Sequence, residues 1–121
     1  MRAEMLAHVA VNRRNGIVVA AVEGEIDVSN AAEIGRQLFE AAPNDAAGLV
    51  VDLSLTTYLD SRGVQLLIEL AERLRRREQR IRVVAPEHSV IRRILLLTRL
   101  DTLIPLDSSF DGAVSAMADT L

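Results

Sequence analysis

The sequence predicts a single α/β domain spanning residues 1–121, with a mixed, mostly parallel sheet of about five strands and about four helices. Three observations carry this. An Asn15-Gly16 pair sits between two apolar runs. Beyond it, short apolar stretches alternate with segments of helical periodicity, the pattern of a parallel sheet with helical crossovers. No internal repeat, low-complexity tract or linker interrupts the series.

Val9–Val11 and Ile17–Val22 flank Arg13-Arg14-Asn15-Gly16. Asn and Gly both tolerate the positive φ of a type I′ turn, so the chain is expected to open with an antiparallel hairpin. Gly24-Glu25-Ile26-Asp27 leads into a first helix in which Ala31, Ile34, Leu38 and Ala42 share a face. Asn30 is the expected N-cap, Glu33 its partner three residues on, and Pro43-Asn44-Asp45 the stop. Gly48–Leu53 is the next strand signal; its centre, Leu49-Val50-Val51, is short, continuous and apolar, the mark of a strand covered on both faces. Val64–Leu74 forms the second helix, with Val64, Leu67, Ile68, Ala71 and Leu74 on one side. Ile81–Val84 is the next strand, and Val90, Ile91, Ile94, Leu95 and Leu97 belong to a third helix. Ile104-Pro105-Leu106 is a brief last strand whose proline suits a sheet edge. Phe110, Val114 and Met117 give the apolar side of a fourth helix, capped by Ser108 or Ser109.

Composition removes several classes of function. Half the residues are hydrophobic and the net charge is −3, so neither disorder nor attraction to nucleic acid or anionic lipid is expected. There is no Cys, hence no disulfide and no thiolate metal site. Met1-Arg2-Ala3-Glu4-Met5 lacks the apolar core of a secretory signal, and the most apolar run, Ile91–Leu100, is broken by Arg92, Arg93 and Arg99. A cytoplasmic protein without a membrane segment is expected. All 14 basic residues are Arg. Without Lys, neither Schiff-base catalysis nor a phosphate-loop hydrolase is available in its usual form.

Leu59-Asp60-Ser61-Arg62-Gly63 is the segment richest in chemistry, since it joins a strand signal to a helix start. A hydroxyl there meets unpaired amides and the positive end of the helix dipole, which suits a phosphorylation switch. The plain alternative is that Asp60 and Ser61 are ordinary caps and Gly63 eases a tight turn. A hydrolase elbow would read Gly-x-Ser-x-Gly; here Leu59 stands at the first position, and neither His8 nor His88 has a recognisable spacing as base. No catalytic residue, metal site or cofactor is therefore assigned. The Arg73–Arg82 basic cluster reads as a solvated helix end, with Glu69–Arg73 and Glu72–Arg76 at supportive four-residue spacing. With 2% aromatic content there is little to stack bases.

Three segments resemble the STAS domain of the anti-anti-sigma (anti-sigma factor antagonist) family. They are Gly24-Glu25-Ile26-Asp27 with Ala31, then Val51-Asp52-Leu53-Ser54 with Leu59-Asp60-Ser61-Arg62-Gly63-Val64, and finally Ile94-Leu95 through Leu100 with Leu106-Asp107 and Ala113. The resemblance implies a STAS-type fold and a binding protein rather than an enzyme. It implies partner switching, in which the unphosphorylated form binds an anti-sigma factor of the histidine-kinase-like ATPase fold and frees a sigma factor. That kinase phosphorylates the serine matched by Ser61, and a serine phosphatase reverses the step. By the same resemblance Asp27, Ser29, Asn30, Asp60, Arg62 and Gly63 share the partner-facing end, with Asp27 expected to meet a basic group. Arg62 departs from the usual second serine, and Arg99 stands where glycine commonly ends the third helix. The rival expectation is a constitutive STAS adaptor or small-ligand module in a sensory or transport complex, in which Ser61 is never modified.

Overall fold

The computed structural model describes residues 7–119; Met1-Arg2-Ala3-Glu4-Met5 lies outside them. The elements run β1 (Ala7–Arg14), β2 (Ile17–Ile26), α1 (Ala31–Ala41), β3 (Gly48–Asp52), β4 (Thr56–Leu59), α2 (Ser61–Arg76), β5 (Arg80–Val84), α3 (Val90–Leu97), a 3-10 turn at Leu100–Thr102, β6 (Leu106–Asp107) and α4 (Phe110–Asp119). The sheet order is β1-β2-β3-β5-β6, antiparallel at β1–β2 and parallel elsewhere.

Asn15 and Gly16 have φ of 54° and 82°, as a type I′ turn requires. The hairpin register is unbroken from Ala7↔Gly24 to Arg14↔Ile17. Alternation along β2 then divides the core. Val18, Ala20 and Val22 pack toward α1, α2 and α3, while Ile17 and Val19 join Val50, Val84, Ala113 and Met117 beneath α4. Ser109 Oγ accepts from Gly112 N (3.0 Å), so it is the cap of α4.

The described residues form six strands, in keeping with the about five expected and one more than that number. β2 has ten residues and takes two parallel partners in succession: Ile17–Ala21 pair with β3, and Gly24–Ile26 pair with β4. β4 escaped the sequence pattern because it is four residues long and both central residues are exposed. The last strand is Leu106–Asp107, two residues past the predicted start, because Ile104 is wholly buried and ties back to Leu100 O (2.9 Å). Asn30 precedes α1 without a side-chain cap bond, and Glu33 instead pairs with Arg36. Neither Glu69–Arg73 nor Glu72–Arg76 is among the ion pairs of the described residues. Arg73 lies over the Phe39 ring of α1, 3.7 Å from its centroid, with Arg77 also over that ring at 4.5 Å. Arg99 accepts a left-handed φ of 62°, so the third helix does end in the conformation that glycine usually supplies.

Candidate functional site

The site is built where β2 and β4 leave the sheet together. Ile26 pairs with Leu59, and Asp60 N donates to Ile26 O (3.2 Å), so Asp27 and Asp60 each follow a strand at the same edge. Asp60 is the N-cap of α2: its Oδ1 accepts from Arg62 N (2.9 Å) and Gly63 N (3.1 Å). Ser61 is therefore the first helical residue and not the cap. It is exposed, and its hydroxyl has no hydrogen-bond partner among the described residues.

Gly63 is buried as the third residue of α2, in ordinary helical conformation. Positive φ does not explain it; space does. A Cβ there would stand 2.3 Å from Leu59 Cδ1 and 3.3 Å from Ile26 Cγ2. The turn is seated directly on the two strand ends that precede Asp27 and Asp60.

The β2–α1 turn is fastened by its own side chains. Asp27 Oδ1 accepts from Ser29 N (2.8 Å) and Ser29 Oγ (2.5 Å). Those bonds, the hydroxyl first, hold the Asp27 carboxyl below the usual range, so it is charged at neutral pH. Asn30 Oδ1 accepts from Asp27 N (3.0 Å), and its Nδ2 donates to Glu25 O (2.9 Å). The side chain of this loop residue thus bonds the backbone of β2 at Glu25 and of the residue just past its end. Asp52 repeats the Asp27 arrangement at the end of β3, accepting from Ser54 N (2.9 Å) and Ser54 Oγ (2.6 Å).

Beside the turn, Arg62, Arg36, Arg73, Gln65, Glu69 and Leu66 line a groove of about 520 Å³ between α1 and α2. Arg36 is held by Glu33 and, at 2.8 Å, by Glu40; its bond to Glu33 lowers that carboxyl to about 2. His8 lies on β1 and His88 in the turn before α3, and no hydrogen bond joins either to Ser61. Among the described residues no group of three or more His, Cys, Asp or Glu is placed to hold a metal ion. None of their helices is long and apolar enough to cross a membrane.

Three exposed apolar residues flank the site and were not singled out by sequence: Val28 (71% exposed), Leu55 (60%) and Tyr58 (48%). Val28 follows Asp27, Leu55 O accepts from Gly24 N (3.1 Å), and Tyr58 pairs with Glu25. For Val28 and Leu55 the sequence signal is an apolar side chain in or next to an Asp-x-Ser turn, outside any core periodicity; Tyr58 carries no such mark.

This geometry matches known proteins along nearly its whole length. The family model described as Mlab, STAS domain, matches residues 9–105. The chain belongs to the STAS-domain family. Over 109 residues it is 32% identical to the anti-sigma-F factor antagonist RsfB of Mycobacterium tuberculosis, covering 90% of this chain and 88% of that one. The crystal structure of an anti-sigma factor antagonist from Mycobacterium paratuberculosis superposes with a TM-score of 0.84 at 31% identity, covering 93% and 95% of the two chains. SpoIIAA, an anti-sigma factor antagonist solved in its unphosphorylated form, shares the STAS fold at a TM-score of 0.72 and 17% identity, over 93% of this chain and 97% of that one.

Proposed function

We propose that this STAS domain is an anti-sigma factor antagonist that works by partner switching, with Ser61 as the phosphoacceptor. It is a regulatory binding protein, not an enzyme. Its partner is an anti-sigma factor of the histidine-kinase-like ATPase fold that phosphorylates Ser61, and a serine phosphatase restores the free hydroxyl. The observation that carries this reading is the division of roles at the start of α2, where Asp60 caps the helix and leaves the exposed Ser61 hydroxyl unused. The similarity to RsfB supports the same reading.

Phosphate on Ser61 would add about −1.5 to −2 charges at pH 7. The nearest helix amides, those of Arg62 and Gly63, already serve the Asp60 carboxylate. The new charge therefore projects toward the partner instead of being absorbed by the helix end. Set beside Asp60, it costs about 3 kcal/mol of binding, on the order of a hundredfold in affinity. Asp27, Ser29 and Asn30 form the adjoining contact, Asp27 facing a basic group of the partner. Arg62 and the Gly63 turn complete the other side, and Val28, Leu55 and Tyr58 supply apolar area.

Ser61→Ala and Ser61→Glu proteins used as parallel baits in lysate of the native cell test this, together with mass spectrometry of Ser61 in the recovered protein. Retention of a histidine-kinase-like ATPase by the Ala bait and its loss from the Glu bait is the expected result. Equal retention of the same partners by both baits overturns the switch and leaves a constitutive adaptor.

A further inference from the structure

The far end of α2 carries a second feature, on β5. Arg80 N donates to Ala47 O on the β3 side, and Val83 N donates to Pro105 O on the β6 side. Backbone groups alternate along a strand, so Ile81, like Val83, turns its N–H and C=O away from β3. There no neighbouring strand stands among the described residues: pairing with β6 begins only at Val83↔Leu106. The residue that would continue the ladder opposite the Ile81 carbonyl is Pro105, which has no N–H to give. Half of β5 is thus an open strand edge, created by the same proline that suits a sheet margin.

A cavity of about 340 Å³ opens at this edge, with Ile81, Leu103 and Pro105 among its walls. Gln79, 6% exposed, also lines it. Its Nε2 donates to Pro43 O (2.7 Å) and Ala46 O (2.9 Å), and its Oε1 is buried with no partner among the described residues. Arg75, Arg80 and Arg82 complete the lining. Arg82 is committed to Asp107 (2.8 Å), whereas Arg75 and Arg80 are exposed and form no ion pair among the described residues.

An unpaired strand edge asks for an extended backbone, and two exposed guanidinium groups ask for carboxylates. We infer that the β5 edge at Ile81, with Gln79, Arg75 and Arg80, is a docking strip for an extended acidic peptide segment of a partner protein. The peptide adds as a short strand, giving an N–H group to the Ile81 carbonyl and side-chain carboxylates to the arginines. This strip lies at the opposite end of α2 from Ser61 and does not depend on phosphorylation.

The test uses the full chain, 15N-labelled, with an acetylated and amidated octapeptide of alternating Asp and Val. The matching Asn-Val peptide and a short oligodeoxythymidine serve as comparison probes. The expected result is saturable binding of the acidic peptide, with slowed hydrogen exchange at the Ile81 amide in the complex. Arg75→Ser combined with Arg80→Ser should weaken binding roughly tenfold, because two rim charges are lost. The Ser61→Glu protein should bind the peptide unchanged, so this result stands apart from the fate of the phosphorylation reading. Equal binding of the Asn-Val peptide overturns the acidic assignment. Equal binding of the oligonucleotide without Ile81 protection shows a generic anion patch and overturns the strand addition. No binding at millimolar peptide overturns the proposal outright.

Discussion

Replacing Gly63 by Ala should destabilise the protein, although the same change inside an exposed helix usually stabilises it. Gly→Ala in a helix interior gains up to about 1 kcal/mol from propensity and reduced chain entropy. At Gly63 the added methyl would lie 2.3 Å from Leu59 Cδ1 and 3.0 Å from Leu59 Cγ. Leu59 is 2% exposed and cannot swing into solvent. Overpacking of this kind costs about 1–3 kcal/mol. The net expectation is a loss of about 1–2 kcal/mol, or a melting point lower by about 4–8 °C for a domain of this size. Gly35 of α1 provides the internal comparison. Its added Cβ meets Leu66 Cβ at 3.8 Å, an ordinary contact, so Gly35→Ala should stabilise by about 0.5–1 kcal/mol. Urea unfolding of both variants, with m unchanged, reads the two signs. If Gly63→Ala is as stabilising as Gly35→Ala, the turn does not rest on Leu59 and Ile26 as described.

Three further outcomes are expected. Asp60→Ala removes a carboxylate that serves two amides and should cost about 1.5 kcal/mol, whereas Asp60→Asn keeps the cap and should lose only about 0.5 kcal/mol; thermal melts of the pair separate cap from charge. Glu33 has its folded-state pKa lowered from 4.5 to about 2, so its stabilising contribution is present above pH 4.5 and is lost as pH falls toward 2. A carbon-13 titration of its carboxyl in native protein should show that low midpoint, and Arg36→Ala should return it to the ordinary range. Arg99→Gly relieves a left-handed residue at the end of α3 and should raise stability by about 0.5–1 kcal/mol in chemical denaturation.

Much of this molecule was legible in the order of its residues because the decisive signals were local. Asn15-Gly16 sets its own turn, and the apolar spacing from Val64 to Leu74 marks the buried face of α2 wherever that helix packs. The features that escaped depend on neighbours remote in sequence. Arg73 prefers the ring of Phe39, 34 residues earlier, to the glutamate one turn behind it, a choice that exists only once α1 and α2 are packed. β4 has no pattern of its own, since its partner is the tip of a strand already paired along its other half. Asn30 was expected to cap the helix after it, but it bonds the strand before it because the ends of β2 need partners there. At the site itself the residue identities were readable. The allotment of the cap to Asp60 and of open space to Ser61 required the backbone.

The length of α2 sets a reach. Its 16 residues span about 24 Å, with Ser61 at one end and Arg75 near the other. An extended tail covers that distance in about seven or eight residues. A partner whose folded part covers Ser61 can thus present a tail at β5 without leaving the surface. The tail then binds at a millimolar effective concentration, so a weak strip suffices to slow departure. Under the switch proposed above, charging Ser61 would end that advantage, and both contacts would be lost together although only one of them is touched.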